Sequence, residues 1–213
     1  MKLKMATWKF DKSVADRFEQ EANSNIPDYQ RVIQLCLDIA KEKNFKSIID
    51  VGAALGYTID KFVKEGYTDI EGVDNSEAMI NSDLNLAKGR ILFSSTFPKH
   101  RKYDMVLANW TLHFVDERMK YIQDIYNGLN NGGVLILSDK TIQTKEIQNL
   151  YYKFKLDNGV SLEYINQKRK MLQGYMNIHS VQWYIDILNA IGFENIQIIN
   201  AKLGFVTFYC EKN

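Results

Sequence analysis

The sequence predicts a doubly wound α/β domain, a mostly parallel sheet finished by an antiparallel hairpin strand. Three observations predict it. Five short apolar runs alternate with helical patterns between residues 46 and 138. Those runs are almost continuously apolar, as strands covered on both faces must be. Two more strand-like runs near the end of the chain are joined by a link too short for a parallel return, which takes about a dozen residues.

The elements follow in order. Lys46-Ser47-Ile48-Ile49-Asp50-Val51-Gly52 reads as a buried strand ending in a loop, and a helix from Thr58 to Glu65 stops at Gly66. Asp69 to Asp74 is the second strand, and Ser76 caps a helix running towards Ala87. Arg90 to Phe93 and Asp104 to Ala108 are the third and fourth strands. Asp116 to Leu129 is an amphipathic helix, and Gly133 to Ser138 is the fifth strand. Helices then follow over 142–158, 162–173 and 180–191, the last ended by Gly192. Glu194–Ile199 and Gly204–Tyr209 form the hairpin, linked by Asn200-Ala201-Lys202-Leu203.

At roughly 100–200 residues per domain, a chain of 213 residues without linker or repeat reads as one domain over 1–213. Residues 1–40 are expected to form a helical cap and 142–192 a helical insertion. With 46% hydrophobic and 25% charged residues the composition is that of a globular protein, and 2 prolines with 12 glycines exclude collagen-like or disordered chains. Basic and acidic residues number 27 and 26, so bulk charge gives no argument for nucleic acid. Cys36 and Cys210 both sit in apolar runs and read as small buried hydrophobes in a reducing compartment. No Cys or His cluster has metal-ligand spacing, so no metal is expected. The start lacks an apolar leader core and no run approaches 18 apolar residues, so a cytoplasmic protein without a membrane partner is expected.

Ligands of doubly wound sheets bind at the carboxyl ends of the strands. There the first strand carries Asp50-Val51-Gly52-Ala53-Ala54-Leu55-Gly56. Gly52 permits a tight turn, and Gly56 is expected to permit close approach of backbone to ligand. Ala53 and Ala54 fill the place of the middle glycine of a dinucleotide fingerprint, so a pyrophosphate would be poorly cradled. Asp50 instead suits an ammonium group, such as the amino acid end of S-adenosylmethionine (SAM). Asp74, with Asn75 beside it, ends the second strand 24 residues later, where an acid can accept from both ribose hydroxyls. After the fourth strand, Asn109 can bond a ligand and Trp110 can wall a pocket, whereas a lone His113 among apolar neighbours reads as structural.

These segments, with Gly72 to Met79, Asn109 to Phe114 and Leu129-Asn130-Asn131-Gly132-Gly133, resemble class I SAM-dependent methyltransferases. Within that superfamily the chain resembles the carboxy-SAM synthases. Trp8 to Ala15 and Ile26-Pro27-Asp28-Tyr29 are similar to that family's opening segment. Tyr152 to Gly159 and Ile165 to Leu172 are similar to its helical insertion. The likeness covers about residues 7–210.

The resemblance implies a Rossmann-like class I methyltransferase fold with seven strands, the last antiparallel. It implies SAM or carboxy-SAM as cofactor, bound by Asp50, Gly52, Gly56, Asp74, Asn75, Ser95, Asn109 and Trp110. The implied chemistry takes a proton from the SAM methyl group and captures carbon dioxide released from prephenate, for use in tRNA wobble-uridine modification. Arg169 would grip the new carboxylate, as a planar guanidinium can, and Tyr29 is the second catalytic residue implied. The chain departs from the family pattern in places. Ser94-Ser95-Thr96 stand where the family carries an acid near the adenine, Tyr151 and Tyr152 replace histidines, and Val160 replaces an aromatic. Ordinary methyl transfer to a small molecule or nucleic acid in the same pocket stays open, as does SAM binding without turnover. A nicotinamide oxidoreductase is opposed by the glycine pattern and the hairpin. The expected substrate is small, prephenate in this resemblance; nucleic acid is not expected as a direct substrate, and a homodimer is open.

Overall fold

The computed structural model describes residues 10–213. Trp8 and Lys9 of the opening motif, and the first nine residues of the expected cap, lie outside them. Seven strands form one sheet: β1 (Ile48–Val51), β2 (Ile70–Asp74), β3 (Ile91–Phe93), β4 (Tyr103–Asn109), β5 (Leu129–Lys140), β6 (Glu194–Lys202) and β7 (Phe205–Glu211). Their order is β3-β2-β1-β4-β5-β7-β6. The first five pair in parallel, and β7 runs antiparallel between β5 and β6. This is the Rossmann-like class I arrangement that the sequence predicts.

Alternation along each strand explains the two-faced burial. On one face Ile48, Met105, Leu107, Val134 and Ile136 meet α3 (Tyr29–Glu42) and α4 (Tyr57–Lys64). On the other, Ile49, Val106, Leu135 and Leu137 meet α6 (Arg118–Gly128) and α9 (Val181–Ile191). Neighbouring positions therefore both need apolar side chains, which produces the continuous runs seen in the sequence.

Several elements differ from expectation. The helix after Ser76 is only α5 (Glu77–Ile80). Beyond it Asn85 donates to Ile80 O at 2.9 Å and accepts from Ala87 N at 2.7 Å, so polar side chains take over the backbone groups and break the helix. The hairpin link is two residues, Leu203-Gly204, both with positive φ, and β6 and β7 extend to meet it. The segment expected as a cap over 1–40 contains α3, which is a layer helix burying Val32, Cys36, Leu37 and Ala40 against the sheet. Only α1 (Lys12–Ala15) and α2 (Phe18–Asn25) lie over the strand ends.

Likewise α9 belongs to a sheet layer, so the elements of the insertion that overhang the strand ends are α7 (Lys145–Asp157) and α8 (Leu162–Leu172). Roof and cap are tied together: Lys168 on α8 meets Glu21 on α2 at 2.6 Å, and Tyr151 on α7 donates to Asn25 O at 2.9 Å. Below them, Arg118 is 3% exposed and joins three segments. Its Nε donates to Leu112 O at 2.6 Å, its Nη1 to the Tyr184 hydroxyl at 2.9 Å, and its Nη2 to Asn177 O. Tyr184 donates in turn to Asp139, 2.6 Å away. No helix among the described residues is long and apolar enough to cross a membrane.

Candidate active site

A cleft of about 810 Å³ opens at the carboxyl ends of β1, β2, β4 and β5, beneath α1, α2, α7 and α8. That volume suits a nucleoside-sized ligand together with a second small molecule. Tyr29, Asp50, Gly52, Asp74, Asn75, Ser95, Asn109, Trp110 and Arg169 all line it. Gly56 does not. Its φ is +75°, and a side-chain carbon there would sit 2.4 Å from the Ala87 methyl. Gly56 is thus required by the turn into α4 and by Ala87 packing, a correction to its expected contact with ligand. Gly52, φ +73°, is held by a similar constraint: Thr111 Oγ1 occupies the space a side chain would need, at 2.0 Å.

The loop after β1 is braced by the acid of β2. Asp74 accepts from Ala54 N through one oxygen and from Ser76 N through the other, both at 2.8 Å. Each oxygen keeps a second lone pair for a ligand hydroxyl. Burial pushes the Asp74 carboxyl up, and the bonds from Ala54, Ser76 and Asn75 oppose it. Ala54 itself takes φ +46° and Trp110 takes φ +57°, a left-handed conformation unusual for such residues. Trp110 is pinned there by its N–H to Ser138 O at 2.5 Å and by Tyr29, whose ring centre is 4.7 Å away. Backbone strain of this kind concentrates at binding sites. Burial pushes the Tyr29 hydroxyl well above its ordinary value, with Asp50 adding to it, so the hydroxyl keeps its proton.

Asp50 is 4% exposed and has no cation partner among the described residues. Burial pushes its carboxyl up to about 7, against the Thr58 hydroxyl, with Asp74 adding to the rise. Asn109 is also buried; its Nδ2 donates to Cys36 Sγ at 3.6 Å and its Oδ1 has no partner. A buried acid without a cation and a buried acceptor without a donor both ask for a ligand bearing N–H groups. The ammonium of a bound amino acid meets that need. At the other end, Ser94 spends its hydroxyl on Thr96 O at 3.0 Å, and Ser95 lines the cleft beside it. His113 holds Asp139 through Nδ1 at 2.6 Å and is 3% exposed, and it also lines the cleft.

Arg169 lines the cleft from α8 while remaining exposed, and it has no hydrogen bond or ion pair among the described residues. Its neighbour Lys168 is taken by Glu21. Sequence reasoning missed Lys140 and Lys155, which also line the cleft. Both would be read as surface lysines; the available signal was the Gln148, Tyr151, Tyr152, Lys155 spacing, which places all four on one helix face.

The family profile of the methyltransferase domain matches residues 20–198. The carboxy-S-adenosyl-L-methionine synthase of Nautilia profundicola is 32% identical, covering 96% of this chain and 94% of its own length. That of Citrobacter koseri is 29% identical, covering 91% and 87%. Among solved structures, a SAM-dependent methyltransferase of Thermotoga maritima has a TM-score of 0.64 at 17% identity, covering 95% of this chain and 97% of that one. An O-methyltransferase family protein of Burkholderia thailandensis has a TM-score of 0.63 at 15% identity, covering 96% of this chain and 61% of that one. The chain belongs to the SAM-dependent methyltransferase family and, within it, to the sequence family of the carboxy-S-adenosyl-L-methionine synthases. It is a SAM-dependent enzyme.

The unpaired Asp50 gives the first prediction. Its folded value of about 7 lies above the 3.8 of the unfolded chain, so the folded state holds the proton more tightly. Stability of the free protein should therefore fall as pH rises from about 4 to about 7, by an amount on the order of 4 kcal/mol, and Asp50→Asn should flatten that slope. An arriving ammonium favours the carboxylate and reverses the preference. Binding of S-adenosylhomocysteine (SAH) near pH 6.5 should release a proton, read by calorimetry in two buffers of different ionisation enthalpy. Proton release that persists in Asp50→Asn would assign the titration elsewhere.

Proposed function

We propose that the enzyme transfers a carboxyl group from prephenate onto the methyl carbon of SAM: the ring carboxyl leaves prephenate as carbon dioxide with loss of the ring hydroxyl as hydroxide, a proton passes from the methyl carbon to that hydroxide to give water, and the carbon dioxide takes the proton's place. Bound in the cleft, SAM supplies a methyl carbon activated by the adjacent sulfonium. Asp50 and Asn109 hold its amino acid end, Asp74 and Asn75 its ribose, and Ser95 its adenine edge. Tyr29 donates a hydrogen bond and, with Trp110, walls the reacting carbon from water.

One observation carries the finer reading: Arg169 enters this same cleft with no anion to hold. A guanidinium near a sulfonium is repelled by it. A carboxylate on the transferred carbon would offset that repulsion and could accept from both guanidinium arms. The relatives named carboxy-SAM synthase support the same chemistry.

Arg169→Ala should weaken carboxy-SAM and leave SAM nearly untouched. Loss of a bond to a charged group is worth roughly 1.5–3 kcal/mol. Because Arg169 is exposed, the lower end applies, about tenfold in affinity. Calorimetry with both ligands reads the difference. Equal losses would remove the clamp and put plain methyl transfer first.

A further inference from the structure

We propose that Lys140 and Lys155, with Gln148, form a carboxylate-binding subsite that seats the second substrate of the transfer reaction against the rings of Tyr151 and Phe205. The inference rests on the cleft being the SAM-dependent transfer site proposed above, and it adds which residues seat the second substrate.

The two lysines share one aromatic neighbour. Lys140 Nζ lies 4.6 Å and Lys155 Nζ 4.5 Å from the centre of the Tyr151 ring. Lys155 is 8% exposed, and Lys140 is half-buried at the end of β5. Neither has an ion pair or hydrogen bond among the described residues. The carboxylate whose field reaches Lys155 is that of Glu21, which already holds Lys168 at 2.6 Å and accepts from Tyr164 at 2.5 Å. Gln148 lies one helical turn before Tyr151 and Tyr152, and its Nε2 is buried without an acceptor.

Two ammonium nitrogens thus share one ring, and a third donor without an acceptor, Gln148 Nε2, lines the same cleft from the helix that carries Tyr151. Two ammonium groups on one ring repel each other, and the ring face offsets only part of their desolvation. Burial holds Lys155 down to about 7, with Lys140 and Lys168 adding to the effect, and burial holds Lys140 down to about 8. A carboxylate placed among the three donors relieves the repulsion and satisfies Gln148. Tyr151, Tyr152, Ile165 and Phe205 offer an apolar seat for the rest of the molecule, and the orphaned Asn25 Oδ1 accepts from a hydroxyl or similar donor. The substrate class is an organic acid with a ring-sized apolar body. This wall is carried by β5 and α7, whereas Asp50 and Asp74 stand on β1 and β2.

The test titrates phenylpyruvate into SAH-saturated enzyme, with phenylacetone as the same body lacking the carboxylate. Phenylpyruvate should bind at least tenfold more tightly than phenylacetone. Lys140→Met and Lys155→Met should each weaken phenylpyruvate at least tenfold and leave SAH affinity unchanged. Both variants should melt no lower than wild type, since each removes one of two amines that repel each other at the Tyr151 ring. In the unaltered protein, phenylpyruvate should slow acetylation of Lys155 by acetic anhydride, read by peptide mass, which keeps the test independent of variant folding. Failure of phenylpyruvate to bind, equal binding of the two probes, lysine variants that bind phenylpyruvate as wild type does, or unprotected Lys155 would each overturn the subsite. Failure of the Arg169 test would overturn carboxyl transfer and leave this result standing.

Discussion

Asp74→Ala is expected to weaken SAH binding by at least a hundredfold. Both ribose hydroxyls would donate to this carboxylate, and each such bond to a charged acceptor is worth roughly 1.5–3 kcal/mol. Two of them make about 3 kcal/mol at the least, and about 1.4 kcal/mol is a factor of ten. The carboxylate also accepts from Ala54 N and Ser76 N, so the alanine variant loosens the β1 loop that frames the cofactor. Asp74→Asn separates the two effects, because its one remaining oxygen braces one amide only and carries no charge. It should fall between wild type and alanine. Calorimetry that finds wild-type affinity in Asp74→Ala would remove the acid from the ribose role.

Arg118→Met is expected to destabilise the fold by roughly 3–5 kcal/mol. The side chain is buried, and its three donors satisfy Leu112 O, Asn177 O and the Tyr184 hydroxyl. Methionine fills much of the space and leaves buried acceptors unpaired, each costing about 1–3 kcal/mol. Arg118→Lys should rescue little, since one ammonium cannot reach three directions. Urea unfolding reads the change. A loss under about 1 kcal/mol would mean that water replaces the guanidinium, and that Arg118 is not the tie between the β4 loop, α9 and the roof.

Much of the scaffold was legible because the sheet is covered on both faces. Ile48 and Ile49 point to opposite layers and both must be apolar, so the strand announces itself. The Asp50 and Asp74 pair was legible for a related reason: acids stand out at the ends of apolar strands, and both line the cleft there. The close spacing of β6 and β7 made the antiparallel ending readable. What stayed hidden depends on long-range contact. The length of α5 is set by Asn85 folding back on Ile80, which periodicity does not encode. Gly56 looked like a ligand glycine, and its partner is Ala87. Arg118, Lys140 and Lys155 have the composition of surface residues, and only packing from distant segments buries them. α3 and α9 read as parts of cap and insertion because sequence order does not say which helix returns to the sheet.

The claim that unites these features is that a carboxyl group moves onto SAM within this cleft. The most direct measurement is the mass of the nucleoside formed when the purified enzyme is incubated with SAM and prephenate carrying carbon-13 in its ring carboxyl group. The account predicts a nucleoside heavier than SAM by one carboxyl group in place of a hydrogen, with the heavy carbon in it, and none when prephenate is omitted. SAM recovered unchanged, or SAH formed with a methylated second product, would contradict it.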